Sequence, residues 1–471
     1  MANKTTRRTF VKSTAALGLG CWVAGGVSAK QSRSALEEVR FGCVGVGGKG
    51  SSDSADANNQ DAHGSKVVAV CDIDDGTLDS VKSKFPGAKQ YNDFRKMLDE
   101  MGKSIDAVTV STPDHTHASA AMMAMDMGKH CFCQKPLSHS IYEARMMGNL
   151  ARDKKLVTQM GNQGTASGNL RLSAALVKNG LIGDVKEVHV WTNRPVWPQS
   201  YGLEVKTEPS PGQEAEWNKK KNLVHWDEWI GPADKCAYSP EIHPFKWRGF
   251  WDFGTGALGD MACHTLNMSF MALNLRNPTS VLATTDRHDN VTYPKSSKIV
   301  FEFPAMDGRP PVKMVWYDGG EKPPRELLKG CPGRGKGEKK RPFNSGALLV
   351  GEKGNFYSPG DYGGEVAQTG MVVDGEFTNQ RKFAKDVDYP KSPGHFKEFT
   401  NAIRGEGTPM SNFPGYAGPL TETILLGNLA VWSGKKVDWD AEKMVAANAD
   451  ESVKNMIRHE YKNGYKLDYS S

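Results

Sequence analysis

The strongest constraint on the fold lies between residues 39 and 160, where short apolar runs alternate with segments of helical pattern. Apolar runs cover residues 41–46, 67–71, 107–110, 130–133 and 157–160. Helical candidates lie near residues 77–85, 93–101, 118–127 and 141–153. This alternation is typical of a parallel sheet whose strands are joined by crossover helices. It predicts an α/β domain.

A glycine-rich turn follows the first apolar run. The sequence Gly45-Val46-Gly47-Gly48-Lys49-Gly50 fits the pattern G-x-G-x-x-G. Glycines in such a turn let the backbone approach a pyrophosphate, whose charge is met by N–H groups at the start of the next helix. The pattern predicts a Rossmann dinucleotide site that uses Gly45, Gly47, Gly48 and Gly50. A purely structural turn is the alternative.

Asp72 supports the dinucleotide interpretation. It stands at the end of the second apolar run, at the spacing from Gly50 where the dinucleotide pattern places an acidic residue. A carboxylate there can accept hydrogen bonds from both hydroxyls of a ribose, and it would repel a 2′-phosphate. The residue therefore favours NAD(H) over NADP(H). Residues 51–63 are nearly all Ser, Asp, Asn and Ala and carry no apolar stripe. The first crossover helix is therefore expected to be short or frayed.

The pattern changes after residue 160. Longer apolar runs, such as residues 185–193 and 297–303, are separated by loops rich in Gly, Pro and Trp. This predicts a second domain of α+β type. Seven of the eleven tryptophans fall within residues 191–251, where their flat faces could pack on a sugar ring. The boundaries we infer are 1–29 for a signal peptide, 30–38 for a linker, 39–160 for the Rossmann domain and 161–471 for the C-terminal domain.

The predicted signal peptide, residues 1–29, is organised like an export signal. Basic residues precede an apolar stretch at residues 15–27, and small residues follow before Lys30. The stretch is too short to span a bilayer stably, so no integral membrane span is expected in the mature protein. Arg7 and Arg8 resemble the twin-arginine signal of the Tat pathway, which predicts a periplasmic protein. A Sec signal is one alternative, and Cys21 leaves lipid anchoring as another.

Charge and cysteine content argue against several classes of function. The formal charge is +6, but the predicted signal peptide carries four basic residues and no acidic one, so the basic and acidic residues that follow it are almost equal in number. So balanced a surface does not favour nucleic acid as a partner. The seven cysteines after Cys21 are scattered and form neither a disulfide framework nor a zinc ligand set. No metal site is predicted.

Three further segments resemble one family. Residues 111–117 (Ser-Thr-Pro-Asp-His-Thr-His) look like a loop that runs beside a nicotinamide, and Gln134-Lys135-Pro136 looks like an E-K-P motif with Gln in place of Glu. Residues 247–248 and 254–264 resemble a segment that ends in a D-x-x-x-H pair. With the glycine turn, these motifs make residues 39–467 similar to the Gfo/Idh/MocA oxidoreductases, the glucose–fructose oxidoreductase and inositol dehydrogenase group.

The resemblance implies a fold, a substrate class and a set of residue roles. The C-terminal domain is expected to contain an open, mainly antiparallel sheet through which family members commonly form homo-oligomers, and the substrate is expected to be a sugar or cyclitol. The implied cofactor contacts are Thr112, Pro113, His117, Gln134 and Gln163. The implied catalytic residues are Lys135, Asp260 and His264, and the implied substrate contacts are Trp247 and Arg248.

The chemistry of these residues agrees with the roles and leaves alternatives. Lys135 follows an apolar run at the ligand-binding edge of the sheet, where partial desolvation would help it exchange a proton with a substrate hydroxyl. Asp260 and His264 are four residues apart, so on a helix the carboxylate can orient the imidazole and stabilise its protonated form. The alternatives are a solvated lysine, and a core histidine or a metal ligand whose partner ligands are not evident. His117 could simply cap a helix, and Gln163 could lie in a plain interdomain turn.

The expected reaction is hydride transfer between NAD(H) and a hydroxyl-bearing carbon of a sugar, glycoside or cyclitol, with Lys135 and His264 handling the proton. An exported enzyme would need a tightly bound cofactor, because free NAD(H) should be scarce outside the cytoplasm. One alternative is redox-assisted glycoside hydrolysis with no net redox change. Another is a non-catalytic protein that binds a sugar or the cofactor.

Overall fold

The structure of the protein is a computed structural model that describes residues 38–335, 341–448 and 450–467. The predicted signal peptide, Cys21 and almost all of the predicted linker lie outside the described residues. Export therefore stays a prediction.

The first sheet has six parallel strands in the order β3-β2-β1-β4-β5-β6. Its strands are β1 Val39–Val44, β2 Ser65–Cys71, β3 Lys89–Tyr91, β4 Ala107–Val110, β5 His130–Cys133 and β6 Thr158–Met160. Its helices are α1 Lys49–Ala57, α2 Gln60–His63, α3 Asp75–Val81, α4 Phe94–Met101, α5 Asp114–Asp126 and α6 Ile141–Asp153. This is the Rossmann arrangement, and the predicted α/β fold class is confirmed.

Two details differ from the sequence pattern or refine it. β3 has no apolar run, because its three residues are exposed or half-buried at the sheet edge, and the sequence pattern missed it. The short first crossover is confirmed: α1 ends at Ala57, and α2 adds only four residues. With little apolar surface to bury in this segment, packing cannot support a longer helix.

A helix from far along the chain covers one face of this sheet. Phe41 of β1 and Phe132 of β5 pack against Phe396 and Phe399, with ring centroids 5.2 to 6.2 Å apart. Both phenylalanines of the second pair lie on the helix His395–Ile403 (α12 below). The Rossmann core is thus completed by residues that the predicted boundaries assign to the C-terminal domain.

The second sheet has ten strands in the order β14-β13-β12-β11-β7-β10-β9-β8-β15-β16. They are β7 Val185–Trp191, β8 Ser280–Thr285, β9 Ser297–Phe303, β10 Val312–Tyr317, β11 Gly346–Gly351, β12 Gly354–Pro359, β13 Gly370–Val373, β14 Glu376–Asn379, β15 Val437–Asp440 and β16 Val445–Ala446. Neighbours pair antiparallel except for β7 and β10. The expected mainly antiparallel sheet of the C-terminal domain is confirmed.

The helices of the second half are α7 Gly168–Lys178, α8 Glu214–Leu223, α9 Trp226–Ile230, α10 Gly256–Thr265, α11 Asn267–Leu273, α12 His395–Ile403, α13 Gly418–Ser433 and α14 Glu451–Ile457. α13 is buried along nearly its whole length, as expected for a helix that is apolar on all sides. It packs against both α6 and α10, and Arg145 of α6 forms an ion pair with its Glu422. Because α13 contacts α6 of the first domain on one side and α10 on the other, it fixes the position of α10 relative to the first sheet. Among the described helices, none has the length and apolar character needed to cross a membrane.

Candidate active site

A cleft of about 880 Å³ opens at the carboxyl ends of the strands of the first sheet. Parallel sheets bind ligands at this edge, because the loops that follow the strands meet there. Its lining includes these predicted site residues: Gly45, Gly47, Gly48, Asp72, Thr112, Pro113, Gln134, Lys135, Trp247, Arg248 and Asp260. Four other predicted site residues lie outside the lining of this cleft: Gly50, His117, Gln163 and His264.

The glycine turn has the geometry that a pyrophosphate requires. Gly45 has a φ of +77°, and a Cβ there would lie 2.6 Å from the carbonyl oxygen of Ser111. A Cβ on Gly50 would lie 2.0 Å from the carbonyl oxygen of Gly45, so the third glycine lets α1 approach the turn although it does not line the cleft. α1 begins without a side-chain cap and without an acidic residue in its first turn. Its first N–H groups can therefore receive an anion.

Asp72 lies at the end of β2, beside this turn. One oxygen of its carboxylate accepts hydrogen bonds from the N–H groups of Val46 and Gly47, at 2.9 and 3.2 Å. The other oxygen accepts one from the N–H of Asp74, at 3.1 Å. Burial raises the pKa of Asp72, although the three N–H donors oppose the shift. The carboxylate therefore fixes the shape of the turn and lines the cleft at the predicted ribose position.

A buried carboxylate that the sequence did not reveal joins α1 to two of the surrounding loops. Asp53 of α1 is 2% exposed, and its Oδ2 accepts hydrogen bonds from the Ser111 hydroxyl and from Nε2 of Gln134, both at 2.8 Å. Its other oxygen is ion-paired with Lys49. Gln134 can donate to this carboxylate, whereas an ionised glutamate could not. The Gln that replaces the Glu of the E-K-P motif is matched to Asp53.

Lys135 and Asp260 form the polar centre of the cleft. Nζ of Lys135 donates to the Asp260 carboxylate and to the Asp260 carbonyl oxygen, each at 2.8 Å. The two side chains are 18% and 12% exposed, so water screens the pair only partly. Arg248 and Arg194 place their Nε atoms 3.5 and 3.7 Å from the same carboxylate. Burial would raise the pKa of Asp260, but Lys135 and Arg248 outweigh it and hold this pKa below its usual value.

His264 lies one turn beyond Asp260 in α10, as the spacing predicts. The pairing differs from the expectation, because the Asp260 carboxylate bonds to Lys135 and forms no hydrogen bond with the imidazole in the described structure. Burial and the nearby Lys135 ammonium outweigh Asp260 and lower the pKa of His264 to about 3. The imidazole is therefore neutral, because the expected stabilisation of its protonated form by Asp260 is too small to offset these two effects. Its ring contacts that of Tyr362 at 4.6 Å.

His117 lies outside the lining of the cleft and connects two of the loops that form it. Its Nδ1 lies 2.8 Å from the carbonyl oxygen of Pro136, and its Nε2 lies 2.9 Å from that of Thr112. Burial lowers its pKa to about 4, so it carries one N–H and donates to one of the two carbonyls at a time. This position suits a structural link better than a direct cofactor contact. Gln163 is exposed and lies in a 3-10 turn outside the lining of the cleft.

Asp114 is a second buried carboxyl in the cleft. Its Oδ2 accepts a hydrogen bond from the Thr255 hydroxyl at 2.6 Å. Burial raises the pKa of Asp114 to about 7, against the opposing effects of Thr255 and Lys135. Near neutral pH this group therefore exchanges between the charged and uncharged forms.

The titration of Asp114 predicts a pH effect on stability. Its folded pKa lies above the unfolded value of about 3.9, so the protonated group stabilises the fold below that value, and this contribution is lost as the pH rises through about 7. Asp114→Asn removes this loss. We expect its melting temperature, relative to the wild type, to rise by at least about 2 °C between pH 5 and pH 8. Calorimetry with the exposed Asp99→Asn as control measures it, and parallel curves for Asp114→Asn and the wild type would contradict it.

Residues that follow the Rossmann domain in the sequence cover the cleft. α8 and the loop after it contribute Leu223 and Val224 to the lining, and Asp74 and Val224 form a β-bridge across the gap. The N–H of His225 donates to the carbonyl oxygen of Ile73 at 2.8 Å. Near the other end of the chain, Tyr465 lines the same cleft. A ligand held there is enclosed from two sides.

Several of these residues gave no usable signal in the sequence. Asp53 lies in a run of Ser, Asp, Asn and Ala that predicts only a short or frayed helix, and Tyr362 lies in a glycine-rich loop far from any motif. Asp114 belongs to the loop at residues 111–117, but only its burial gives it a distinct chemistry. Of the seven clustered tryptophans, Trp229 and Trp247 line the cleft. Within the described residues, no three His, Cys, Asp or Glu side chains are grouped to hold a metal ion.

Comparison with known families matches both halves of the chain. Residues 39–162 match the Gfo/Idh/MocA family, described as an oxidoreductase family with an NAD-binding Rossmann fold. Residues 174–309 match the C-terminal alpha/beta domain of the same oxidoreductase family. Together the two matches cover more than half of the sequence.

Curated relatives match over part of their length. Levoglucosan dehydrogenase of Pseudarthrobacter phenanthrenivorans is 24% identical over 186 residues, which is 40% of this chain and 37% of that protein. Inositol 2-dehydrogenase of Agrobacterium fabrum is 30% identical over 166 residues, 35% of this chain and 48% of that protein. A glycosyl hydrolase family 109 protein of Shewanella pealeana is 28% identical over 158 residues, 32% of this chain and 34% of that protein. The chain thus spans less than half the length of each of these relatives.

Solved structures show the same fold over most of the chain. The WlbA dehydrogenase from Bordetella pertussis, in complex with NADH and UDP-GlcNAcA, gives a TM-score of 0.56 at 15% identity and covers 86% of this chain and 99% of that one. Levoglucosan dehydrogenase in complex with NADH and levoglucosan gives a TM-score of 0.54 at 16% identity and covers 85% of this chain and 99% of that one. Both of these complexes contain NADH, and the glycine turn and Asp72 of this chain have the pattern of an NAD(H) site. The chain belongs to the Gfo/Idh/MocA family of oxidoreductases, with its NAD-binding Rossmann domain and its C-terminal α/β domain.

Proposed function

We propose that the protein is an NAD(H)-dependent oxidoreductase that acts on a secondary hydroxyl of a sugar, glycoside or cyclitol. The observation that carries the proposal is the position of Lys135. Its ammonium, held by Asp260, lines the same cleft as the glycine turn and Asp72. A proton donor and a dinucleotide site therefore meet in one enclosed space.

The residues of this chain supply positioning and proton transfer. When bound, NAD(H) supplies the hydride chemistry at the hydroxyl-bearing carbon. Lys135 uses two N–H groups on Asp260, and the third has no partner in the described residues. That N–H can donate to the oxygen of a substrate carbonyl, and the neutral amine can take the proton back from the hydroxyl. His264 is neutral and lies outside the lining of the cleft, so we assign the proton transfer to Lys135 rather than to a charged imidazole.

A redox-neutral glycosidase is the second candidate, and the covered cleft favours it. A cofactor enclosed by α8 and Tyr465 would exchange slowly, so a reaction that regenerates it within each cycle would suit the site. Export through the predicted twin-arginine signal is part of the same proposal, because a folded protein would carry its cofactor with it. Lys135 would then deprotonate a substrate hydroxyl before the glycosidic bond is cleaved and protonate the same oxygen afterwards. Homo-oligomer formation stays a prediction, which the mass of the purified protein in solution tests.

The test starts from the purified mature protein. Mass spectrometry is expected to find NAD(H) bound, since the cleft encloses it. The protein is then incubated with glucose, galactose, myo-inositol, their acidic derivatives and nitrophenyl glycosides, while NADH absorbance and nitrophenol release are followed. NADH formation supports the oxidoreductase, and glycoside cleavage without NADH supports the second candidate. Bound NAD(H) with neither reaction across the panel would leave only a binding protein and would reject both.

A further inference from the structure

Three cationic side chains surround the Asp260 carboxylate: Lys135 and Arg248 line the cleft, and Arg194 approaches the same carboxylate from outside its lining. Oδ1 of Asp260 lies 2.8 Å from Nζ of Lys135 and 3.5 Å from Nε of Arg248, and Oδ2 lies 3.7 Å from Nε of Arg194. Neither arginine forms a hydrogen bond to Asp260 in the described structure. One negative charge faces three positive ones.

The other titratable groups nearby do not remove this excess. Burial raises the pKa of Asp114 to about 7, so near neutral pH this carboxyl is only partly ionised. His264 is neutral, and burial raises the pKa of the Tyr362 phenol, which is neutral as well. Around Asp260 the positively charged side chains therefore outnumber the ionised carboxylates. Unpaired buried charge is costly unless a ligand neutralises it.

The two arginines also present unused donors. The hydrogen bonds of the Arg194 and Arg248 guanidinium groups are one to the Asn193 side chain and one to the Phe245 carbonyl oxygen. Each side chain is 24% exposed; Arg248 lines the cleft, and Arg194 lies at the other oxygen of Asp260, so both have N–H groups available to a ligand that binds beside this carboxylate. The Arg248 guanidinium lies 4.2 Å above the Trp247 ring, which restricts its orientation. A planar guanidinium held in this way suits two-point binding of a carboxylate or a phosphate.

We infer that the preferred substrate is an anionic sugar, whose oxyanion binds Arg194 and Arg248 while a ring hydroxyl faces Lys135. This inference rests on the proposed function and narrows its substrate class. A sugar acid and a sugar phosphate share the required chemistry. A neutral sugar would leave the excess positive charge unpaired in the cleft.

Binding to the NAD-loaded protein tests the inference without relying on turnover. Titration calorimetry compares D-glucose, D-glucuronate, its methyl ester and glucose 6-phosphate, and then the matched galactose series. We expect at least one anionic member to bind about 10-fold more tightly than its neutral counterpart, and the preference to weaken at high salt. Tighter binding of glucuronate than of glucose 6-phosphate assigns the oxyanion to a carboxylate, and the reverse assigns it to a phosphate.

A matched pair of variants tests the assignment to Arg194. Arg194→Gln is expected to reduce the anionic preference about 10-fold and leave neutral-sugar affinity unchanged. Arg287→Gln is the control for the loss of an arginine charge, because Arg287 is exposed, lies outside the lining of the cleft and stacks on the Tyr201 ring at 3.8 Å. Equal or weaker binding of every anionic sugar, or an unchanged preference in Arg194→Gln, overturns the inference. NADH formation from neutral sugars alone would also overturn it while supporting the proposed function.

Discussion

Replacing Lys135 with methionine is expected to lower kcat about 10³-fold while bound NAD(H) is retained. Methionine keeps the length and apolar stem of lysine but cannot donate or accept the proton of the substrate hydroxyl. The residues of the glycine turn and Asp72 do not contact Lys135 through any hydrogen bond in the described structure, so the cofactor end of the cleft is left unchanged. The measurement is the turnover of the best sugar in the panel, together with the ratio of NAD(H) to protein by mass spectrometry.

The control for this variant must separate chemistry from stability. Lys135→Met leaves Asp260 in a largely buried place without its closest cation, which can destabilise the fold by a few kcal/mol. The double variant Lys135→Met/Asp260→Asn removes both charges and is expected to melt near the wild type while remaining inactive. Lys186→Met controls for loss of an exposed ion pair, since Lys186 lies 3.4 Å from Glu352. Wild-type turnover in a stable Lys135 variant would exclude Lys135 from the mechanism.

The charge state of His264 differs between the sequence prediction and the structure. The sequence predicted a charged imidazole supported by Asp260, and the spacing placed both residues correctly on one helix. The prediction could not include the Lys135 ammonium, which comes from a distant part of the sequence and takes the carboxylate. Burial then favours the neutral imidazole. The residues were predictable from a local motif, but their charge states depend on contacts between distant segments.

The same limit explains what the sequence predicted of the fold. The strands β1, β2, β4, β5 and β6 and the glycine turn follow from apolar runs and glycine spacing, which are local properties. β3 was missed because a short edge strand needs little apolar surface. α12 packs on β1 although most of the chain separates the two, and no pattern within the helix indicates its partner. The position of α12 therefore depends on long-range packing, which the local sequence pattern does not predict.

The Asp53–Gln134 pair predicts the second large effect, a pH-dependent loss of stability in Gln134→Glu. The substitution would place two carboxylates where Nε2 of Gln134 now lies 2.8 Å from Oδ2 of Asp53. Gln134 is 5% exposed and Asp53 is 2% exposed, so water cannot screen the repulsion between the two carboxylates. Carboxylates at this distance cannot both ionise, and the pKa of the new carboxyl is raised. The expected cost at pH 8 is about 3 to 5 kcal/mol.

The sign of the pH dependence follows from this raised pKa. Below the unfolded value for Glu, about 4.3, the new carboxyl is protonated in both states and can donate to Asp53, so the variant melts close to the wild type. As the pH rises through the raised folded pKa, this stabilising proton is lost and the melting temperature falls. We expect the gap from the wild type to widen to about 5 °C or more by pH 8, as measured by calorimetry.

A charge exchange tests whether Asp53 is the cause. Asp53→Asn/Gln134→Glu restores one carboxylate facing one amide, with the positions reversed, and is expected to recover most of the melting temperature at pH 8 and part of the turnover. Gln199→Glu is the matched control, because Gln199 is also buried and hydrogen-bonded but its partners are Trp197 and a carbonyl oxygen. Asp53→Asn should not rescue that variant. If Gln134→Glu is as stable as the wild type at pH 8, or if Asp53→Asn fails to rescue it, Asp53 does not select the glutamine.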